Sequence, residues 1–364
     1  MTRFRACGPT ELAVSLSLTF LLAACNSGHP PPAATETDSA GVRIIQHSVL
    51  PDSVLGGWHL SEEPVLRLGE VEGAEPFLFS GVLGIVRLSD GRIAVADGQT
   101  SEIRLFTAAG EHLLTTGGKG SGPGEFTYIG NLFQVPGDSL AATNVFERTI
   151  SFFDPDGHFA RSVRLEQPEG ASGYWVDQIL GNGSLLVKGS REFASGIPEE
   201  GYQRSEVTFS IYSSDGEPLS LLGTFAGAEL QVEEWRGQLG ARPLAMGRAV
   251  EAAASGTGVF VGETDRFEIL RYDFDGNLTA ILRADAAPIP FTEDMRRRWV
   301  EHALLRVDDP ELVRRAREQF DSNIWPDSLP VFSELRGDGE GNLWVRRFRA
   351  DYAPGPDLWW VFGP

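Results

Sequence analysis

Cysteine is nearly absent, with only Cys7 and Cys25 in 364 residues. That excludes a small fold stapled by disulfides, and there is no Cys-x-x-Cys pair for metal or redox chemistry. Lysine is as scarce, being limited to Lys119 and Lys188, so arginine carries nearly all the positive charge. Arginine suits carboxylate pairing and ring stacking on a β surface. Neither a His-Glu-x-x-His nor a Gly-x-Ser-x-Gly motif occurs. Basic residues number 31 against 51 acidic ones, and the net charge of −20 argues against a nucleic-acid partner. The apolar run from Leu12 to Ala24 is too short to cross a hydrocarbon core of ~30 Å. Hydrophobic residues make up 41% of the chain, an ordinary share that rules out global disorder.

The first residues read as an address. Arg3 and Arg5 precede the apolar run, which ends in Leu22-Ala23-Ala24-Cys25 and leads into Asn26-Ser27-Gly28. This resembles the lipobox of bacterial lipoprotein signal peptides. The resemblance implies removal of residues 1–24 and lipidation of Cys25, with acyl chains as the membrane anchor and an extracytoplasmic location at the outer membrane or its periplasmic face. Residues 25–40, with Pro30-Pro31-Pro32, then read as a flexible tether, and residues 41–364 as the folded domain.

A repeat organises that domain. Asp90-Gly91, Gly137-Asp138, Asn182-Gly183, Thr257-Gly258 and Glu340-Gly341 each open a short apolar strand. A second set of turns, Ala109-Gly110, Asp156-Gly157, Asp215-Gly216 and Asp275-Gly276, follows alternating strands such as Ile103–Phe106 and Ile150–Phe153. Glycine supplies the positive φ that tight hairpins need. Gly91 to Asp138 and Gly110 to Gly157 are both 47 residues, while the next two intervals are 59 and 60, leaving room for insertions. A four-stranded unit of about 40–50 residues is the size of a propeller blade.

The segment from Gly117 to Phe126 (Gly-Gly-Lys-Gly-Ser-Gly-Pro-Gly-Glu-Phe) resembles the blade-to-blade motif of NHL-type six-bladed propellers, and Val95-Ala96-Asp97 with Ile103–Phe106 resembles that family's inner hairpin. The layout is similar to that of six-bladed propeller lipoproteins of bacteria. A phosphate-binding loop would need Gly-Lys-Ser/Thr opening a helix, whereas Gly120 follows Lys119. The expected fold is all-β, a six-bladed propeller with five visible inner hairpins. Phe332–Trp344 and Leu358–Phe362 supply only three strands at the end, which fits either a five-bladed closure or, as the resemblance favours, a six-bladed chain stopping before its last blade. Pro64–Gly69 reads as an outer strand closing the ring. A helical pair is inserted at about 291–322: Thr292 opens one helix with Met295, Trp299, Ala303 and Leu304 on its face, and Asp309-Pro310 opens a second with Val313, Ala316 and Phe320.

Chemistry is harder to find. Six-bladed propellers include metal-dependent lactonases and lyases with sites in the central channel, yet none of the six histidines falls on an expected innermost strand. Polar residues expected to line the channel are Asn131, Gln134, Asp177, Gln178, Glu251, Glu334 and Arg336. Calcium held by Asp177, Glu251 and Glu334 is the weaker expectation beside no cofactor at all. Asp97, Asn144 and Glu263 end equivalent second strands and are expected to accept hydrogen bonds from neighbouring loops, and Asp154–Gly157 reads as a hairpin turn. The eight tryptophans are expected mainly in blade packing, with Trp235 and Trp325 as candidates for stacking at loop tips. The reading is therefore a lipid-anchored extracytoplasmic scaffold or binding protein whose partner is an envelope protein, peptide or glycan. The alternative is a metal-dependent lactonase-like or lyase-like enzyme.

Overall fold

The computed structural model describes residues 34–48, 50, 63–191, 200–235, 237–256, 258–286, 288–350, 352–353 and 355–364. Cys25 and the signal segment lie outside them, as does Trp58.

Small antiparallel sheets account for most of the chain, and the fold is the expected all-β propeller. The first blade holds β3 (Val82–Arg87), β4 (Ile93–Asp97), β5 (Glu102–Phe106) and β6 (His112–Gly117), after an entering hairpin of β1 (Ala34–Ser39) and β2 (Val42–His47). The second holds β7 (Ile129–Val135), β8 (Ser139–Asn144), β9 (Thr149–Phe153) and β10 (Phe159–Arg164). The third runs through β11 (Gly173–Ile179), β12 (Leu185–Arg191), β13 (Gly201–Tyr212), β14 (Pro218–Trp235) and β15 (Gln238–Pro243). The fourth comprises β16 (Val250–Ser255), β17 (Gly258–Glu263), β18 (Glu268–Asp273) and β19 (Leu278–Ala284). A two-residue pair, β20 (Ile289–Pro290) and β21 (Ser328–Leu329), brackets helices α1 (Glu293–Leu304) and α2 (Pro310–Asp321). The fifth sheet has three strands, β22 (Phe332–Gly337), β23 (Leu343–Arg347) and β24 (Trp359–Phe362).

The turns between third and fourth strands share one construction. Each starts at a residue whose side chain accepts backbone N–H groups ahead of it. Asp154 accepts from Asp156 and His158 at 3.0 and 2.8 Å, Ser213 from Asp215 and Glu217 at 3.2 Å each, and Asp273 from Asp275 and Asn277 at 3.0 and 2.8 Å. The glycine three residues on sits at positive φ in each case, 87° at Gly157, 85° at Gly216 and 91° at Gly276. The side chain thus satisfies donors that a tight turn would otherwise strand. Asp154–Gly157 is accordingly a hairpin turn.

The core lies between blades. Leu105, Phe126, Ile129, Leu140 and Phe153 form the first apolar cluster, between blades one and two. Ile150, Phe152, Val176, Val187 and Tyr212 form the second, between blades two and three. Two further clusters join blade three to four, around Phe209 and Val261, and blade four to five, around Phe267 and Phe332. The glycine-rich run after β6 is a loop with no helix: Gly118 N–H donates to the Ser101 carbonyl at 2.8 Å, and Phe126 is fully buried.

Three expectations change. Pro64–Gly69 forms no strand; Leu66 and Leu68 lie as irregular chain against Gly110 of the first blade. Further along, the buried Arg104 guanidinium, 2% exposed, donates to the carbonyls of Glu75 and Leu78 at 3.3 and 2.7 Å and fastens residues 75–78 to the blade. Ala34–Ser39, read as the end of the tether, form β1, and β2 adds in parallel to β19. The helices begin where expected, with Thr292 accepting from Met295 N–H and Asp309 from Glu311 N–H, but Ala303 is exposed and Leu304 is the buried residue of α1. Their arginines are largely paired to local acids: Arg296 with Glu293 and Asp321, Arg298 with Asp294, and Arg314 with Glu311 and Glu318.

Candidate functional site: the cleft between the second and third blades

Where β7 and β11 come together, they leave a cleft of about 400 Å³ lined by Asn131, Thr143, Val145, Arg148, Tyr174 and Trp175 among others. The volume falls within the ~300–1,000 Å³ range of small-ligand pockets. Gly130 keeps it open: a Cβ there would come within 2.5 Å of the Thr143 hydroxyl and 2.9 Å of Val145. That hydroxyl accepts the Asn131 N–H at 2.9 Å, closing β7 onto β8 despite the irregular register between Ile129 and Leu132.

The lining includes two aromatic residues, Tyr174 and Trp175. Trp175 is 41% exposed, Tyr128 42% and Phe146 75%, and the last two meet edge to face with ring centroids 5.8 Å apart. Tyr174 turns inward, its hydroxyl donating to the Leu165 carbonyl at 3.3 Å, and the Arg148 guanidinium lies 4.6 Å from its ring centroid. The Lys188 ammonium sits between Trp175 and Phe209, 5.8 and 5.6 Å from their rings.

Beyond Trp175 and Lys188 lies an acidic group. Burial pushes the Asp177 carboxyl up, and the Lys188 charge only partly offsets this. Burial pushes Glu251 up to about 7, with Lys188 lowering it and the charges of Asp177 and Glu334 raising it further. Strands of three different blades thus bring Asp177 and Glu334 within electrostatic reach of Glu251. Among the described residues, however, no three His, Cys, Asp or Glu side chains converge closely enough to hold a metal ion. Glu334 is instead engaged by Arg336 and, at 3.5 Å, by Arg346.

The remaining expected residues divide. Asn131 lines the cleft. Gln134 does not; its amide donates to Asp138 at 2.9 Å at the far end of β7. Gln178 bridges blades, donating to the Ala252 carbonyl at 3.1 Å and accepting from Ala254 N–H at 2.6 Å. Arg336 is exposed beside Trp359, 5.6 Å from its ring. Asp97, Asn144 and Glu263 serve loops: Asp97 accepts from Ser80 and Gln99 N–H, Asn144 from the Thr127 hydroxyl and Glu263 from Ala226 N–H. Trp325 is packed, stacked on Phe291 at 5.5 Å and edge-on to Trp299. Trp175 and Arg148 line the cleft; sequence reading placed Trp175 among the tryptophans of blade packing and did not single out Arg148. The available signal was register. Forty-seven residues earlier stands Ser101 for Arg148, so the arginine is an addition to a turn that folds without it.

A family model described as a 6-bladed beta-propeller matches residues 72–168, a span covering the first two blades. Among solved structures the chain is similar to a Bacteroides fragilis protein described as exported, with 15% identity over 84% of this chain and 75% of that one and a TM-score of 0.41. It is also similar to a Staphylococcus aureus virginiamycin B lyase, with 12% identity over 78% and 84% and a TM-score of 0.33. A Myxococcus xanthus glutaminyl cyclase matches with 15% identity over 72% and 84% and a TM-score of 0.29. No curated protein matches the chain significantly.

Proposed function

We propose that this protein is an extracytoplasmic binding module, anchored by lipid on Cys25, that holds a peptide, protein segment or glycan in the cleft between its second and third blades. The carrying observation is a cleft of ligand size whose lining combines the solvent-facing Trp175 with Tyr174 and Arg148. Large rings left in water on a globular surface are costly unless something covers them. The anchor reading rests on Leu22-Ala23-Ala24-Cys25 and the tether after it; among the described residues no helix is long and apolar enough to cross a membrane.

Thermal shift tests this. The protein is heated with EDTA, with Ca²⁺, Mg²⁺, Mn²⁺ or Zn²⁺, and with panels of oligosaccharides and peptides. A ligand at 100 times its Kd stabilises the native state by about 2.7 kcal/mol. The expected result is a shift with an organic ligand that Trp175→Ala removes. A shift with one divalent ion, lost in Glu251→Gln and kept in Trp175→Ala, would overturn the reading in favour of a channel metal site and an enzyme.

A further inference from the structure

We infer that the cleft takes an acidic saccharide, a sugar face stacking on Trp175 and its carboxylate meeting Arg148; this deepens the binding-module reading and rests on it.

The argument starts at the backbone of residue 148. Arg148 has φ 55°, and the residue 47 positions earlier, Ser101, has φ 58°. Both carbonyls do the same work: that of Ser101 accepts Gly118 N–H at 2.8 Å and that of Arg148 accepts Leu165 N–H at 3.1 Å. The left-handed conformation is therefore demanded by blade architecture, and a serine meets the demand in the first blade. A long charged side chain at such a position is not something the fold requires. Arg148 also makes no ion pair among the described residues, in a molecule with 51 acidic side chains, and its guanidinium is stacked on Tyr174 in the cleft.

The charge around it is reversed relative to the whole. The cleft lining contains Arg148 and no carboxylate, although the chain carries a net charge of −20. A planar guanidinium with free N–H donors is matched to a carboxylate, which it can hold by two parallel hydrogen bonds. Beside that donor the lining holds the exposed ring of Trp175 and the small polar residues Asn131 and Thr143. Sugars offer C–H faces to rings and hydroxyls to amide side chains, so a sugar acid satisfies both parts of the site together. A peptide anchored by aliphatic side chains would want a deep apolar pocket in place of an exposed ring.

The test titrates the full chain with oligogalacturonate, its fully methyl-esterified counterpart and a glutamate-rich peptide, following tryptophan fluorescence and calorimetric heat. Arg148→Asn is the informative variant, because asparagine tolerates positive φ and the blade should fold as before; unchanged melting confirms that. Saturable binding of oligogalacturonate is expected, weakened about tenfold or more by Arg148→Asn, by Trp175→Ala and by esterification. Equal affinity for acid and ester, or an Arg148→Asn variant that binds as the parent does, would overturn the carboxylate contact. Absence of saccharide binding would overturn the inference outright. If the peptide then binds in a Trp175-dependent way, the binding module stands and the saccharide falls; if neither binds, the metal series decides the module itself.

Discussion

Glu251 occupies an innermost strand with Asp177 and Glu334 close enough to feel and one lysine to offset them. A carboxyl raised from 4.5 to about 7 binds a proton in the folded protein that the unfolded chain has released. Stability contributed by that proton is fully present below about pH 4.5 and falls as pH rises towards 7. Glu251→Gln should therefore raise the melting temperature at pH 8, by roughly 2 °C, and change it little at pH 4.5. Melting the pair across that range checks it; an equal effect at both pH values would mean the group is not raised. The candidacy of Asp177, Glu251 and Glu334 was legible because inner-strand position follows from the turn repeat. Trp175 and Arg148 were not, because what decides their role is which neighbouring blade leaves them uncovered.

Turns were the most legible elements, since glycine at positive φ and an acceptor three residues before it leave a fixed signature. Asp338 shows the device at its fullest. Its carboxylate accepts Trp344 Nε1–H and Asn342 Nδ2–H at 2.8 Å each, and the N–H groups of Asn342 and Glu340 at 2.9 and 3.0 Å. The hydrogen bond from Trp344 first, then that from Asn342, hold it at about 2. The stability this adds is present above about pH 4 and is lost as pH falls towards 2. Asp338→Ala should melt about 1 °C lower at pH 7 and together with the parent at pH 2; a gap that persists at pH 2 would mean packing and not charge is responsible. The segment from Pro64 to Gly69 misled because Val65-Leu66-Arg67-Leu68 alternates as a strand would. Its apolar side chains are used against a neighbouring turn at Gly110, without ladder partners. The 18-residue length of β14 was hidden inside the longer repeat intervals, where no turn residue marks how far it extends.

At the scale of the molecule, the four apolar clusters among the described residues lie between the five blades, and each is shared by two neighbours. Second strands such as β8, β12 and β17 are mostly buried, while β1 is largely exposed and β24, an edge strand, is half-buried. Amide hydrogen exchange should accordingly be slowest in β8, β12 and β17 and fastest in β1 and β24, resolved by peptide mass spectrometry. Uniform exchange along the chain would contradict a core divided among interfaces. All-β character and blade size were readable from the turn spacing, but sequence periodicity does not show which sheet faces which.

The division of the core also sets an order of assembly. Since β7 packs on β3, β11 on β7, β16 on β11 and β22 on β16, each blade finds its partner surface in the blade made just before it. A chain emerging from a ribosome or a translocation pore N-terminus first can thus complete one apolar interface at a time. The exposed sticky surface at any moment is then mainly that of the newest blade, with β2 waiting until β19 is made, which limits the window for aggregation during synthesis.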